Sequence, residues 1–558
     1  MNQQQRSFVK GAAILGSIGL VSKVFGAVYT IITTNILQSS GMAPYMAAFP
    51  VYTFLLAISS AGLPVAISKM VAERIALHDY RAAHMVFQSA LKAMFLIGLF
   101  TTIVMMALSG VIENVIKVQY MRLTVLGIAP SLFFVSLLSA YRGYFQGMMR
   151  MTPTAVSQII EQLVKLGVGI LLMYLMMDIG PGYGAMGAIL GITVSEVAAF
   201  IYLLILYNKR KSEIKASIKS SVRTKLRNRI GRKMFYLALP IVVGACAMPL
   251  VQVIDSAVIT NTLLSLKQIF IFGKEIVLDP AAMDGSTAKQ IVESLFGLTS
   301  YVNPIVNLPA VLSMSLAMSL VPAISASRAE GDELSVSNKS GIGIKLSMLV
   351  GLPCAVGLFM LSTPIVHLLY TVKDPMNIGL FPLAGSLLAV MGIGVFFLTV
   401  LQTMTGILQG LGKTYIPVAN LFIGIAVKIV LSIVLIRVPE INIKGAYLSS
   451  VACYGVAAIL DVAFVIKHAK ARLKFMDNFV KPLLSVAAMG AALYLVMPKI
   501  PLTEYSRTLT IALVALAAVV YVFFIFFFGA LTEADMAYIP GGGRLTSLLY
   551  KLKIWKRR

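Results

Sequence analysis

The sequence predicts an all-α integral membrane protein of about 14 transmembrane helices, built as two parallel six-helix lobes plus two C-terminal helices. Three observations predict it: an apolar composition, a train of fourteen apolar stretches, and an internal repeat. The 558 residues are 58% apolar and only 12% charged, with a mean hydropathy of +0.88. Soluble domains run at about 45–50% apolar and about 25% charged. So little charge cannot cover a water-soluble fold of this size, which excludes cytosolic enzymes, nucleic-acid binders and disordered scaffolds. The net charge of +25 suggests nucleic acid at first sight, but the basic residues cluster between apolar runs. The three cysteines, Cys246, Cys354 and Cys453, are far apart in apolar stretches and form neither a disulfide framework nor a zinc motif.

A spanning helix needs about 20 mostly apolar residues. Fourteen stretches qualify: 11–35, 46–70, 88–112, 121–147, 155–177, 184–207, 235–262, 291–322, 341–363, 378–409, 416–436, 443–466, 480–498 and 508–530. No AxA-like cleavage site follows the first, so it reads as a retained helix. Lys and Arg set the orientation. With the N-terminus in the cytoplasm, inside segments carry 34 of the 47 basic residues, outside segments ten, and the spans three: Lys23, Lys165 and Lys428. Both termini are therefore expected to be cytoplasmic in a multi-pass plasma-membrane protein. The expected organisation is a first lobe at 1–207, a basic cytoplasmic loop at 208–234, a second lobe at 235–470, two additional helices at 471–530 and a basic cytoplasmic tail at 531–558. The loop at 209–233 has eleven bases and one acid, Glu213; it reads as a topology signal on anionic lipid or as a docking site for a cytoplasmic enzyme.

The repeat is legible in three places. GLPVAISKMVAE (62–73) corresponds to LVPAISASRAEGD (320–332), YFQGMMRMTPTAVSQIIEQLVKLGVGILL (144–172) to ILQGLGKTYIPVANLFIGIAVKIVLSIVL (407–435), and GAMGAILGITVSEVAAF (184–200) to GAYLSSVACYGVAAIL (445–460). Gly147 pairs with Gly410, Arg150 with Lys413 and Lys165 with Lys428 at one constant offset. Both copies start on the same side, so the repeat is parallel. Parallel halves suit a central site near the midplane with access alternating as one half rocks against the other. Prolines within or at the ends of spans (Pro64, Pro130, Pro240, Pro249, Pro304, Pro309, Pro322, Pro353 and Pro364) favour a moving transporter over a static anchor.

A charge at membrane depth costs at least ~2.5–3.5 kcal/mol, so it should face protein or water. Lys23 lies a dozen residues into the first stretch with Ser22, Tyr29 and Asn35, which reads as a cavity lining, with snorkelling to the interface as the alternative. Gln158, Glu161, Gln162 and Lys165 form a polar stripe at i, i+3, i+4, i+7; Glu161 and Lys165 have the spacing of a helical ion pair. The stripe fits either an interhelical network or a substrate wall. Gln252, Asp255 and Asn261 mark the seventh stretch, Asn420 and Lys428 the eleventh, and Asp461 the cytoplasmic end of the twelfth; Glu196 has no evident partner along the sequence. There is no nucleotide-binding GxxxxGK[ST], no HExxH and no GxSxG. No cofactor is expected, with sodium or a proton as the candidate coupling ion, and no soluble segment is large enough for catalysis.

At GLPVAISKMVAE (62–73), YRGYFQGMMRMTPTAVSQIIEQLVK (141–165), LALPIVVGACAMPLVQVIDSAVI (237–259) and LQGLGKT (408–414) the sequence resembles the polysaccharide-exporter branch of the MOP superfamily. More narrowly it resembles MurJ-type lipid II flippases of Gram-positive bacteria and the related stage V sporulation protein B family, over about residues 8–530. The resemblance implies a V-shaped bundle of two six-helix lobes that moves undecaprenyl-diphosphate-linked sugars to the outer leaflet. The family's S-[RK]-x-x-G motif, whose basic residue faces the cavity, matches Ser22–Lys23–Val24–Phe25–Gly26. Its acidic–basic pair before the proline of the eighth span falls at Asn303–Pro304, a departure. A sodium site in some members matches Asp255 and Asn420, with Gly424 where a further acid would stand.

The reading is thus a non-enzymatic flippase for peptidoglycan precursor, with a lipid-linked oligosaccharide and membrane lipids as partners and cell-wall synthesis enzymes as candidates. The alternatives are a cation-coupled multidrug exporter, an exporter of another cell-surface or spore polysaccharide precursor, or a membrane enzyme using Asp279, Asp284 or Glu293.

Overall fold

The computed structural model describes residues 3–60, 62–219, 221, 230–279, 285–373, 378–471, 474–497 and 506–532. Among the described residues thirteen helices are long and apolar enough to cross a membrane. The fourteenth stretch is accounted for at the start of the chain. There α1 (Gln3–Ser60) runs through the first two stretches with non-helical backbone at Gln38, φ 60 and ψ −176. The second stretch, expected at 46–70, does not continue unbroken: α2 (Leu63–Ala76) starts anew with Pro64 in its first turn, where a missing N–H costs nothing.

Then follow α3 (Tyr80–Ala107), α4 (Ser109–Ile116), α5 (Met121–Gly147), α6 (Thr152–Met177), α7 (Pro181–Lys209), α8 (Lys211–Lys219) and α9 (Ile230–Leu264). The expected outside loop at 263–290 contains β1 (Gln268–Ile271) and β2 (Lys274–Val277), an antiparallel hairpin. Its turn residues Phe272 and Gly273 both have positive φ, 51 and 79, as a tight two-residue hairpin turn requires. The chain continues with α10 (Gly285–Gly297), α11 (Thr299–Ala329), α12 (Glu333–Met360), α13 (Ser362–Leu369), α14 (Leu380–Gly410), α15 (Tyr415–Ile436) and α16 (Lys444–Ala469). A π-helical turn, Met476–Val480, leads into α17 (Lys481–Val496), and α18 (Arg507–Phe527) follows. The tail from 533 lies outside the described residues, as does Asp284.

The helices form two compact units: Met1–Asn261 with Gln290–Gly297, and Thr262–Lys289 with Leu298–Arg558. This boundary differs from the expected one, which gave 235–470 to the second lobe. The first unit takes α9 as far as Asn261 for a local reason. Asn261 Nδ2 donates to the Val115 carbonyl at 2.7 Å and Thr260 Oγ1 to the Ile116 carbonyl at 2.5 Å. Near the other end of α9, a side chain on Gly62 would stand 2.6 Å from the Ala238 carbonyl.

The units repeat each other's packing. In the first, α5 packs on α2, α3 and α7, and α6 lies along α7; in the second, α14 packs on α11, α12 and α16, and α15 lies along α16. The paired glycines show why. A Cβ on Gly147 would meet Val71 Cβ at 2.7 Å and the Ser68 carbonyl at 2.8 Å; on Gly410 it would meet Ile324 Cβ at 3.0 Å and the Val321 carbonyl at 3.1 Å. One turn earlier Gly143 and Gly406 make the same close approach to the same helices. A small-xxx-small stripe lets two backbones touch, which drives helix association where lipid is as apolar as leucine. In the second unit α17 packs on α12 and α18, and Tyr521 donates to the Leu349 carbonyl at 2.6 Å.

Candidate substrate site

The stripe on α6 becomes a network when α5 turns back onto it. The turn between them, with Met149 at φ 60, sets an antiparallel register in which Gln146 reaches Thr154 and Arg142 reaches Ser157. Arg142 Nη2 pairs with Glu161 Oε2 at 2.9 Å while its Nε donates to Ser157 Oγ at 3.0 Å; the two charged side chains are 16% and 19% exposed. Gln162 Nε2 lies 3.4 Å from the other Glu161 oxygen. Glu161 is ion-paired to Arg142 rather than to Lys165, the partner expected from i,i+4 spacing.

Lys165 instead places its ammonium 4.9 Å from the ring centre of Tyr29 on α1. Tyr29 is buried and donates to the Ala188 carbonyl of α7 at 2.6 Å. The crossing of α6 and α7 is tight: a Cβ on Gly191 would stand 2.2 Å from Gly169 Cα. That crossing carries Glu196 of α7 into the electrostatic reach of Glu161, Arg142 and Lys165. Glu196 is 6% exposed, and its Oε2 accepts no hydrogen bond; Gln158 Oε1 is likewise buried without a partner. The first unit therefore gathers two bases, two acids and two unfilled acceptor atoms on α5, α6 and α7, with Glu196 buried and Arg142, Glu161 and Lys165 half-buried.

Elsewhere on α1, Ser22 is half-buried and Lys23 exposed, while Asn35 donates to the Ile31 carbonyl at 3.0 Å. Asp255 lies on α9, half-buried in the first unit. In the second unit Asn420 donates to Asp461 Oδ1 at 2.7 Å and Thr405 to its Oδ2 at 3.4 Å, with Asp461 fully buried. Lys428, the counterpart of Lys165, is 4% exposed on α15. Gly424 is needed for packing: a Cβ there would stand 2.6 Å from the Cys453 carbonyl, so no acid fits between α15 and α16. Among the described residues no group of three or more His, Cys, Asp or Glu could hold a metal ion. Glu293, one of the acids available to an enzyme, is buried and accepts the Gln119 N–H at 2.6 Å.

Arg142, Glu196, Thr405 and Asp461 are the network members that the sequence reading left out of its site. The signal for Arg142 was the short turn at 148–151, whose hairpin register pairs 142 with 157.

Residues 8–328, more than half of the chain, match the family described as polysaccharide biosynthesis protein. The chain belongs to that family. Residues 297–434 also match the MatE family. The chain is 26% identical to the lipid II flippase MurJ of Bacillus subtilis (strain 168) over 511 residues, 88% of each protein. It is 25% identical to stage V sporulation protein B of the same organism, over 85% of this chain and 86% of that protein. Among solved structures, a lipid II flippase MurJ in an inward closed conformation superposes with a TM-score of 0.64 at 16% identity, covering 93% of this chain and 98% of that one. An inward-facing multidrug resistance MATE transporter of the MOP superfamily also reaches 0.64 at 16% identity, covering 80% and 94%. This family member is a multi-pass membrane protein of the MOP superfamily, a transporter or flippase with the all-helical fold of those structures.

Proposed function

We propose that the protein moves a polyprenyl-diphosphate-linked sugar, the peptidoglycan precursor lipid II, from the inner to the outer leaflet by alternating access. One observation carries the reading: each of the two repeated units sets a lysine at the same repeat position within its helix bundle, Lys165 half-buried over Tyr29 and Lys428 buried on α15. A buried ammonium is costly and suits an anionic passenger better than a cationic drug. The likeness to the B. subtilis flippase supports the choice of lipid. The headgroup enters from the cytoplasm, where both termini lie, and Lys23 of the S-K-x-x-G motif meets the diphosphate as a point-charge donor. The polyprenyl tail stays in lipid. No nucleotide motif is present, so the drive is the membrane potential, a coupled sodium ion or proton, or the lipid's own gradient. One charge crossing 100 mV is worth about 2.3 kcal/mol, and an inside-negative potential favours an anion moving outward.

The test is depletion in a cell lacking redundant flippases, followed by identification of the lipid-linked precursor that accumulates. Accumulation of lipid II on the cytoplasmic side is expected. Accumulation of a different polyprenyl-linked glycan would assign the protein to another surface or spore polysaccharide. An unchanged precursor pool together with new drug sensitivity would favour the multidrug-export alternative. Cell-wall synthesis enzymes are the partners this role implies.

A further inference from the structure

The π-helical turn at Met476–Val480 opens α17 with an extra residue in the turn and packs on α12. Such turns are rare and recur at functional sites. Here the turn gathers cations around one acid. Lys481 Nζ lies 2.5 Å from Asp477 Oδ1, and Lys474 and the buried Lys345 of α12 stand within electrostatic reach of the same carboxylate. Lys481 and Lys474 set against one carboxylate leave positive charge in excess. Beside Asp477, Asn478 is 5% exposed, and its Nδ2 has no hydrogen-bond partner. A buried amide donor left unfilled is destabilising, so its retention points to a ligand that accepts from it. The surroundings say which kind. Phe475 and Met476 are 71% and 63% exposed, and Leu483 and Leu484 extend the apolar surface along α17. Exposed apolar side chains interleaved with lysines at the end of a span belong to the membrane interface.

We propose that the corner between α12 and the entry to α17 binds the phosphate of an anionic phospholipid, with Lys345, Lys474 and Lys481 supplying charge and Asn478 Nδ2 an oriented donor. A phosphate has the acceptor oxygens to take the amide N–H and neighbouring ammonium groups together. The acyl chains lie on the apolar surface of Phe475, Met476, Leu483 and Leu484, which a free anion would not use. This site is separate from the Arg142–Glu161 network and does not depend on which lipid is transported.

The experiment is native mass spectrometry of the full-length protein in detergent, titrated with phosphatidylglycerol, phosphatidylcholine or inorganic phosphate. Phosphatidylglycerol should be retained in preference to phosphatidylcholine. Lys474→Gln, at an exposed position that leaves the core untouched, should weaken that retention about fivefold, the effect of one lysine at an anionic lipid surface. Asn478→Leu, checked for an unchanged melting temperature, should weaken it too. Lys470→Gln, an exposed lysine paired with Glu333, should not change it. Equal retention of both lipids would overturn the proposal. So would equal losses in Lys470→Gln and Lys474→Gln, which would mark a diffuse charge effect. Displacement of phosphatidylglycerol by inorganic phosphate alone would mark a free-anion site and overturn the lipid assignment.

Discussion

Arg142→Ala should destabilise the first unit through Glu161. The substitution removes the 2.9 Å ion pair and the 3.0 Å bond to Ser157, leaving Glu161 with only the long Gln162 contact. Breaking a fully buried pair costs about 3–5 kcal/mol, because it strands a charge. Exposed pairs contribute about 0–1 kcal/mol. At 16% and 19% exposure this pair lies nearer the buried limit, and about 2–3 kcal/mol is expected for Arg142→Ala. For a unit of this size each kcal/mol shifts the melting temperature by roughly 2–4 °C. The assay is a double-mutant cycle with Glu161→Ala, read by thermal unfolding in detergent. Losing both partners should cost less than the sum of the singles, with a coupling of at least about 1 kcal/mol. The same cycle between Glu161 and Lys165 should give no more than about 0.5 kcal/mol, the size of an ordinary i,i+4 pair, because Lys165 sits over Tyr29. A larger coupling to Lys165 than to Arg142 would refute the assignment.

Four further outcomes follow from the same geometry. Lys23→Ala should abolish transport without loss of membrane insertion, and Lys23→Arg should keep part of it; full complementation by the alanine variant would remove Lys23 from the substrate path. Gly147→Ala and Gly410→Ala should each lower stability by about 1–3 kcal/mol, the cost of overpacking, with Gly147 the worse because its neighbours are closer; unchanged melting temperatures would contradict the packing. Asn420→Ala should destabilise the second unit by about 1–3 kcal/mol, since buried Asp461 then keeps only the 3.4 Å Thr405 contact, and Asp461→Asn should partly rescue it. Collapsing the membrane potential should slow outward movement of the substrate in oriented vesicles; unchanged rates together with sodium independence would leave the lipid gradient as the only drive.

The sequence by itself determined the membrane, the span positions and the repeat, because each rests on a local or periodic property of the chain. An apolar run of about 20 residues has one low-energy fate in lipid. The glycine at the end of each repeated span, Gly147 and Gly410, was visible as a pair, though not its reason, which is a backbone on the neighbouring helix at van der Waals distance. The polar stripe on α6 was legible as a face that cannot meet lipid. Its partners were not, since i,i+4 spacing proposes Lys165 for Glu161 and only the α5–α6 turn brings Arg142 there. Glu196 was an isolated acid in an apolar run until the Gly169–Gly191 crossing set it beside that network. Asn420 offered itself as an ion ligand, and tertiary packing gave it Asp461 across the α15–α16 contact. Spacing along a helix fixes which side chains share a face. Which charges then meet is decided by where two helices cross, and that depends on the small residues and turns that set each crossing.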